Sequence, residues 1–223
     1  MENTLPVVEK FHSLQGEGFH SGRSAFFIRL AGCEVGCPWC DTKQSWDKDI
    51  HPEISIESLL IDINHARDNG ASFIVITGGE PLQHNLNSLC YEIKQRSQIN
   101  KGKSIKIHIE TSGVNEITGV YDWITLSPKR HKPPKEYFLK NFNELKIVIS
   151  DEKDIEFAKR IRKEILELEG EKSNMSPKKL IEKNYYIQPA WKNKNGFNLA
   201  INFVKNNPNW TLSLQTHKYL NLK

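Results

Sequence analysis

The chain has 223 residues, 38% apolar and 26% charged, with a formal net charge of +4. That length holds one α/β domain with a sizeable core and is short for two, so residues 1–223 are expected to form a single domain. The small positive excess, much of it in lysine-rich surface stretches such as SPKKLIEKN, argues against a nucleic-acid partner, and no apolar run has the length of a membrane helix.

In chain order, the N-terminal MENTLPVVEKFHSLQGEG lacks a basic start followed by an apolar core. No secretory leader is expected, and the predicted compartment is cytoplasmic. In a reducing compartment the four cysteines point to metal or catalytic thiols rather than disulfides. The first predicted strand is AFFIRL (25–30). The stretch GCEVGCPWCDT (32–42) follows it. A helix is predicted over 56–69, where Ile56, Leu59, Leu60, Ile63 and Ala66 recur at helical spacing between a Ser55 cap and a Gly70 stop. SFIVIT (72–77) is the next strand, and Leu86, Leu89, Cys90 and Ile93 mark a helix over 82–96. Two strands, IKIHIE (105–110) and WITLS (123–127), are separated by a segment with room for one helical turn. ELKIVIS (144–150) precedes a helix over 152–169 that Asp151 caps and Gly170 ends. Residues 169–184 are expected to be a surface insertion. YYIQPA (185–190) and a helix over 197–206 complete the pattern.

Continuous apolar runs suit parallel strands covered on both faces. The predicted fold class is therefore α/β, with about six parallel strands and a reduced set of helices forming a partial, open barrel. In such folds chemistry gathers where strands end. The loops after the predicted strands are AGCEVGCPWCDT, TGGEP, ETSG, SPKR, ISDEKD and QPAW, and they are expected to hold the functional residues.

The spacing Cys33-x3-Cys37-x2-Cys40 is not that of a zinc finger, which pairs two C-x2-C units or adds two histidines. The remaining cysteine, Cys90, falls on an apolar helical stripe and is read as a core residue. Three thiolates can hold a cubane iron–sulfur cluster by three of its irons, leaving the fourth open for a ligand.

C-x3-C-x2-C with Trp39 before the last cysteine resembles the signature of the radical S-adenosylmethionine enzymes, whose shortened TIM-like barrel matches the predicted architecture. TGGEP (77–81) is similar to their glycine-rich motif, in which Glu80 could balance the methionine ammonium. FHSLQGEGFHSGRSAFFIRLAGC, CDT, SPK, QPAW and LQTHK, in that order, narrow the resemblance to the 7-carboxy-7-deazaguanine synthase family. Together they span residues 11–218.

The resemblance implies a lyase that contracts the ring of 6-carboxy-5,6,7,8-tetrahydropterin to 7-carboxy-7-deazaguanine with loss of ammonia, in queuosine and deazapurine biosynthesis. It implies a [4Fe-4S] cluster on Cys33, Cys37 and Cys40, S-adenosyl-L-methionine, and Mg²⁺ at Thr42. Trp39, Asp41, Gly79, Glu80, Ser127, Pro128, Lys129, Gln188, Pro189, Ala190 and Trp191 would hold S-adenosylmethionine. Leu14, Gln15, Gly16, Arg29, Thr77, His217 and Lys223 would meet the pterin. An electron donor such as a flavodoxin or ferredoxin and a homodimer are further implications. Arg29, inside an apolar strand, offers a bidentate fork to the substrate carboxylate. Thr42 alone is a poor Mg²⁺ ligand, so the substrate carboxylate is expected to complete that site. No general base stands out. Two rival readings are a glycyl-radical activase, which needs the cysteine triplet but not LQGEG, CDT or LQTHK, and a zinc-stabilised nucleic-acid-binding module using the triplet and a histidine.

Overall fold

The computed structural model of the protein describes residues 3–99, 104–172 and 183–223. Its strands are β1 (Thr4–Leu14), β2 (Ser24–Leu30), β3 (Glu53–Ser55), β4 (Phe73–Gly78), β5 (Lys106–Thr111), β6 (Trp123–Leu126), β7 (Glu144–Ile149), β8 (Asn184–Pro189) and β9 (Thr211–Leu212). The helices are α1 (Ile56–Asp68), α2 (Asn87–Ile99), α3 (Glu136–Lys140), α4 (Glu152–Lys172), α5 (Lys194–Asn206) and α6 (Thr216–Tyr219). The strands form one sheet in the order β3-β1-β2-β4-β5-β6-β7-β8-β9. From β2 to β9 every neighbouring pair is parallel, while β1 runs antiparallel to both β2 and β3. The order ends on two different edges, so the fold is an open partial barrel.

The six predicted strands form within a residue of their expected limits. β1 was not among them. It is an antiparallel strand near the sheet edge, and its burial varies along its length from Leu5 and Val7 to the exposed Leu14. Strands wetted on one face do not show the continuous apolar signal that marked the others. Three other expectations change. Residues 81–83 form a short 3-10 turn and α2 begins at Asn87, because Pro81 and the Glu80 carboxylate, which accepts the Leu82 amide at 3.2 Å, fix a separate turn first. Residues 112–122, where the expected order of elements has no helix, form none; side-chain bonds such as Thr118 Oγ1 to the His84 carbonyl, 3.0 Å, shape the segment. Gly170 does not stop α4, which runs on to Lys172. A single exposed glycine costs a helix only about 1 kcal/mol, less than the rest of the run supplies. The expected insertion is helix at 169–172 and strand from 184, and its residues 173–182 lie outside the described residues.

Local sequence explains the helix starts. Ser55 Oγ accepts the Ser58 amide at 3.2 Å, Asp151 Oδ1 accepts the Asp154 amide at 3.2 Å, and Asn193 Oδ1 accepts the Gly196 amide at 2.8 Å. The asparagine cap sets the start of α5 at Lys194 rather than 197.

The two faces of the sheet differ. The outer face carries Ile28, Ile76, Ile109, Ile147 and Ile187, all within 1% of complete burial, against Leu59, Leu89, Ile161 and Phe203 of the helices. Burying each such side chain stabilises the fold by roughly 1.5–3 kcal/mol. The inner face is apolar only near its base, where Ala25, Phe27, Phe73 and Val75 form a separate cluster with Phe11. Higher up, each strand turns a polar residue inward. Leu14 pairs with Ser24, the first residue of β2, so the loop 15–23 lies at the strands' N-terminal ends. Its Phe19 and His20 stack with Phe73, His108 and Trp123 and plug the barrel there.

Candidate active site

A cavity of about 400 Å³ opens at the C-terminal ends of the parallel strands, in the range of small-molecule sites. The cysteine loop after β2 forms one wall. Cys33, Cys37 and Cys40 all line the cavity and are free of disulfides. Burial pushes the Cys33 and Cys37 thiols up, so these sulfurs need a cation to become thiolates. Among the described residues no group of three or more His, Cys, Asp or Glu is disposed to hold a single metal ion. Three free thiols on one cavity are the donor set that a cluster with one open iron needs.

The loop after β4 packs tightly on the cysteine loop. Gly79 donates its amide to the Leu30 carbonyl at 2.9 Å, and Glu80 donates its own to the Gly32 carbonyl at 2.8 Å. A Cβ on Gly79 would come within 2.3 Å of the Gly32 oxygen and 2.8 Å of Cys33 Cβ, so only glycine fits there. Glu80 is 2% exposed. Its carboxylate accepts from the Thr111 hydroxyl (2.6 Å), the Leu82 amide (3.2 Å), and the Ser112 amide (2.8 Å) and hydroxyl. All four donors are neutral, so the carboxylate is anchored without being neutralised. Expected only as a charge partner, Glu80 also holds the β4 and β5 loops together.

The loop after β6 completes this side. Ser127 and Lys129 line the cavity, and Lys129 Nζ donates to Ser127 Oγ at 2.7 Å. Burial lowers the Lys129 ammonium, with Cys37 acting the other way. His131 packs edge-on against Trp39 at 5.8 Å and its Nε2 is 2.9 Å from the Val35 carbonyl, tying this loop to the cysteine loop. Gln188, Ala190 and Trp191 line the cavity from β8 and its loop. Pro128 and Pro189 do not. Pro128 is buried, and Pro189 borders an adjoining cavity of about 280 Å³ that shares Ala190 and Trp191 with the first. Of the expected loops, ISDEKD stays out of the cavity. Its Asp151 and Asp154 pair instead with Arg130 at 3.0 and 3.4 Å and hold the start of α4.

Leu14, Gln15, Gly16, Arg29, Thr77, His217 and Lys223 line the same cavity. Arg29 donates through Nε to Glu9 at 2.9 Å. Gly16 is packed so closely that a Cβ would lie 2.1 Å from His217 Nδ1. The Gly16 carbonyl accepts both the amide and the hydroxyl of Thr216 at 2.9 Å, which seats α6 against the loop after β1. Burial lowers the His217 imidazole. The last residue folds back: Ser13 Oγ donates to the Lys223 carbonyl at 3.0 Å, and Lys223 Nζ lies 3.7 Å from Glu9. Beside Cys40, the Thr42 hydroxyl donates to Asp41 Oδ1 at 3.1 Å, and Asp41 Oδ2 accepts from Lys218. Burial alone would raise the Asp41 carboxyl, but the Lys218 ammonium outweighs it and holds the group below the usual carboxylate range.

Residues not anticipated also line the cavity, chiefly Glu17, Glu110, Lys146, Gln215 and Lys218. Glu110 accepts from Gln15 Nε2 (3.0 Å) and Thr77 Oγ1 (3.1 Å). Lys146 is 6% exposed and pairs with Glu17, which also accepts Gln215 Nε2 at 2.9 Å. Burial pulls the Glu17 carboxyl up, yet Lys146 and Gln215 bring it down to about 2, and Glu17 in turn raises the Lys146 ammonium against its own burial. The signal was present. IHIE and ELKIVI place the charged Glu110 and Lys146 among apolar strand residues, as FFIRL does with Arg29, and in this sheet all three line the cavity.

The Radical SAM superfamily matches residues 27–123. A 7-carboxy-7-deazaguanine synthase of Prochlorococcus marinus is 49% identical over 222 residues, 99% of this chain and 99% of that protein. A protein of the same name from Synechocystis sp. is 42% identical over 220 residues, 99% of this chain and 94% of its own length. The crystal structure of QueE from Escherichia coli superposes with a TM-score of 0.73 at 31% identity, covering 96% of this chain and 95% of that one. These full-length matches leave the activase reading without support.

Proposed function

The chain belongs to the 7-carboxy-7-deazaguanine synthase family of the radical SAM superfamily, and from that membership we propose how its cavity works. The reaction is the ring contraction of 6-carboxy-5,6,7,8-tetrahydropterin to 7-carboxy-7-deazaguanine with loss of ammonia, a step of queuosine biosynthesis. The observation that supports the residue assignment is that the cysteine triplet and the residues expected to meet the pterin line one and the same cavity. Cys33, Cys37 and Cys40 hold the [4Fe-4S] cluster. Trp39, Asp41, Gly79, Glu80, the Ser127–Lys129 segment and the Gln188–Trp191 segment form the S-adenosylmethionine side. Together the bound cluster and S-adenosylmethionine supply a one-electron route to a hydrogen-abstracting radical.

The chain's own residues orient the substrate and exclude water. Arg29, which donates through Nε to Glu9, faces the substrate carboxylate with its terminal nitrogens. Leu14, Gln15 and Gly16 meet the donor–acceptor edge of the pterin. Thr77 and His217 flank it, and Lys223 closes the open side. Thr42 is the Mg²⁺ ligand, with the substrate carboxylate completing the site. Its hydroxyl proton points to Asp41, and its oxygen accepts from the Cys40 thiol at 3.9 Å, a contact that is lost when Cys40 is a thiolate and that frees the lone pair for a cation. The protein works as a single-domain cytoplasmic homodimer, receives electrons from a flavodoxin or ferredoxin, and needs no nucleic acid. Among the described residues no helix is long and apolar enough to cross a membrane.

Anaerobic reconstitution with iron and sulfide, followed by incubation with the pterin, S-adenosylmethionine, Mg²⁺ and a reductant, tests the reading. The deazaguanine product is expected. Its absence from protein that carries an intact cluster would sink the assignment.

A further inference from the structure

The polar residues that were not anticipated are linked to one another. Asp41 Oδ2 accepts from Lys218 Nζ, which also donates to Gln215 Oε1 at 3.1 Å. Gln215 Nε2 donates to Glu17 Oε1 at 2.9 Å, and Glu17 Oε2 accepts from Lys146 Nζ. The chain Asp41–Lys218–Gln215–Glu17–Lys146 starts beside Cys40, crosses the mouth of the cavity on the C-terminal segment, and ends inside the barrel on β7. All five residues line the cavity.

It joins residues that the functional reading gives to the cofactor to residues that it gives to the pterin. Lys218 Nζ lies 5.4 Å from the centre of the Trp191 ring, and Tyr219 packs edge-on against the same ring at 5.0 Å. Asp41 and Trp191 belong to the cofactor side. Glu17 follows Gly16 on the pterin side, and the same C-terminal segment packs His217 onto Gly16. Gln215 cannot satisfy both neighbours in a flipped orientation, because Lys218 has only donors and Glu17 only acceptors. The orientation of the Gln215 amide is therefore fixed by its two partners, and one continuous run of hydrogen bonds joins Asp41 to Glu17.

We propose that Lys218 and Gln215 are positioning residues that couple the two sides of the cavity, so that cofactor bound against Asp41 and Trp191 tightens the pterin-binding segment Gln15–Glu17, and pterin in turn tightens cofactor. The inference rests on the functional reading above for which ligand sits on which side. Linkage makes the effect reciprocal.

The test uses cluster-loaded protein prepared without oxygen. Amide hydrogen exchange is followed at Gly18, which donates to Ser213 Oγ at 3.0 Å, and at Thr216, with and without S-adenosylmethionine. In the unaltered protein the cofactor slows both amides about 5-fold or more; in Lys218→Met and Gln215→Leu the slowing falls below about 2-fold, and Lys218→Arg restores it. Adding the tetrahydropterin tightens the cofactor Kd about 5-fold in the unaltered protein and not in the two apolar variants. Equal slowing in the unaltered protein and Lys218→Met overturns the proposal. So does fast exchange in the variants with and without cofactor that Lys218→Arg fails to repair, since the residues would then be a structural clamp only. If the pterin does not bind the unaltered protein, the substrate assignment fails, and the exchange comparison alone decides the coupling.

Discussion

The inner face of the barrel has two storeys, built by the same strands. β4 turns Phe73 inward at the base and Thr77 at the top; β5 does the same with His108 and Glu110, and β6 contributes Trp123 at the base. At the base, rings pack on rings. His20 and His108 are 9% and 5% exposed, and burial lowers their imidazoles to about 4 and about 3. At the top, charged groups survive burial because each has a partner, as Glu17 has Lys146 and Glu110 has Gln15 and Thr77. A wall can be lined with aromatics and neutral imidazoles, or with paired charges, on one strand a few residues apart. Burial excludes charge only where no partner is supplied.

Substitutions should separate the two storeys. The largest effect belongs to the top: Cys37→Ala is expected to abolish activity and cluster content while the fold persists, checked by iron and sulfide analysis beside circular dichroism. Next, Lys146→Met strands the Glu17 carboxylate in a buried site and should cost about 3–5 kcal/mol in urea unfolding. If it costs less than about 1 kcal/mol, the pairing does not sustain the upper storey. Arg29→Met should leave stability nearly unchanged and lower kcat/KM about 10- to 100-fold, the loss of a charge-assisted contact.

The base should answer to acid. His20 and His108 titrate lower in the folded than in the unfolded chain. Their contribution is full above about pH 6.5 and is lost as pH falls toward 4, by up to about 1.4 kcal/mol per pH unit for each group. His108→Phe should flatten that slope in thermal melts. The smallest effect is at the boundary of the storeys. Burial raises the Glu144 carboxyl to about 7, above its unfolded value, so its contribution is present at low pH and lost as pH rises through 7. Glu144→Gln should change stability at pH 7 by less than about 1 kcal/mol and remove the loss that the wild-type chain shows between about pH 4.5 and 7. A large cost would mean that the charged form matters for the Phe19 amide it accepts at 3.1 Å.

Much of this was legible in the linear chain. The six parallel strands showed as apolar runs because their outer faces are sealed by helices. The cysteine triplet, TGGEP and QPAW stood out because loops at strand ends need glycine and proline to bring backbone to a ligand. β1 was hidden, since a half-wetted antiparallel strand carries polar residues among its apolar ones. Pro128 and Pro189 were expected in the cavity as parts of their motifs, but the conformation of each loop turns only their neighbours into it. Glu17 and Lys146 are 129 positions apart and could be paired only by the fold.

The sequence by itself determined six of the parallel strands, the cysteine loop and the residue types gathered at the strand ends, because those depend on local spacing and turn propensity. The tertiary structure alone decided which charges meet. Strand register selects the storey in which each inward residue falls, and the C-terminal segment brings Gln215 and Lys218 between Asp41 and Glu17. Long-range pairing of this kind is set by packing geometry rather than by neighbours in the chain.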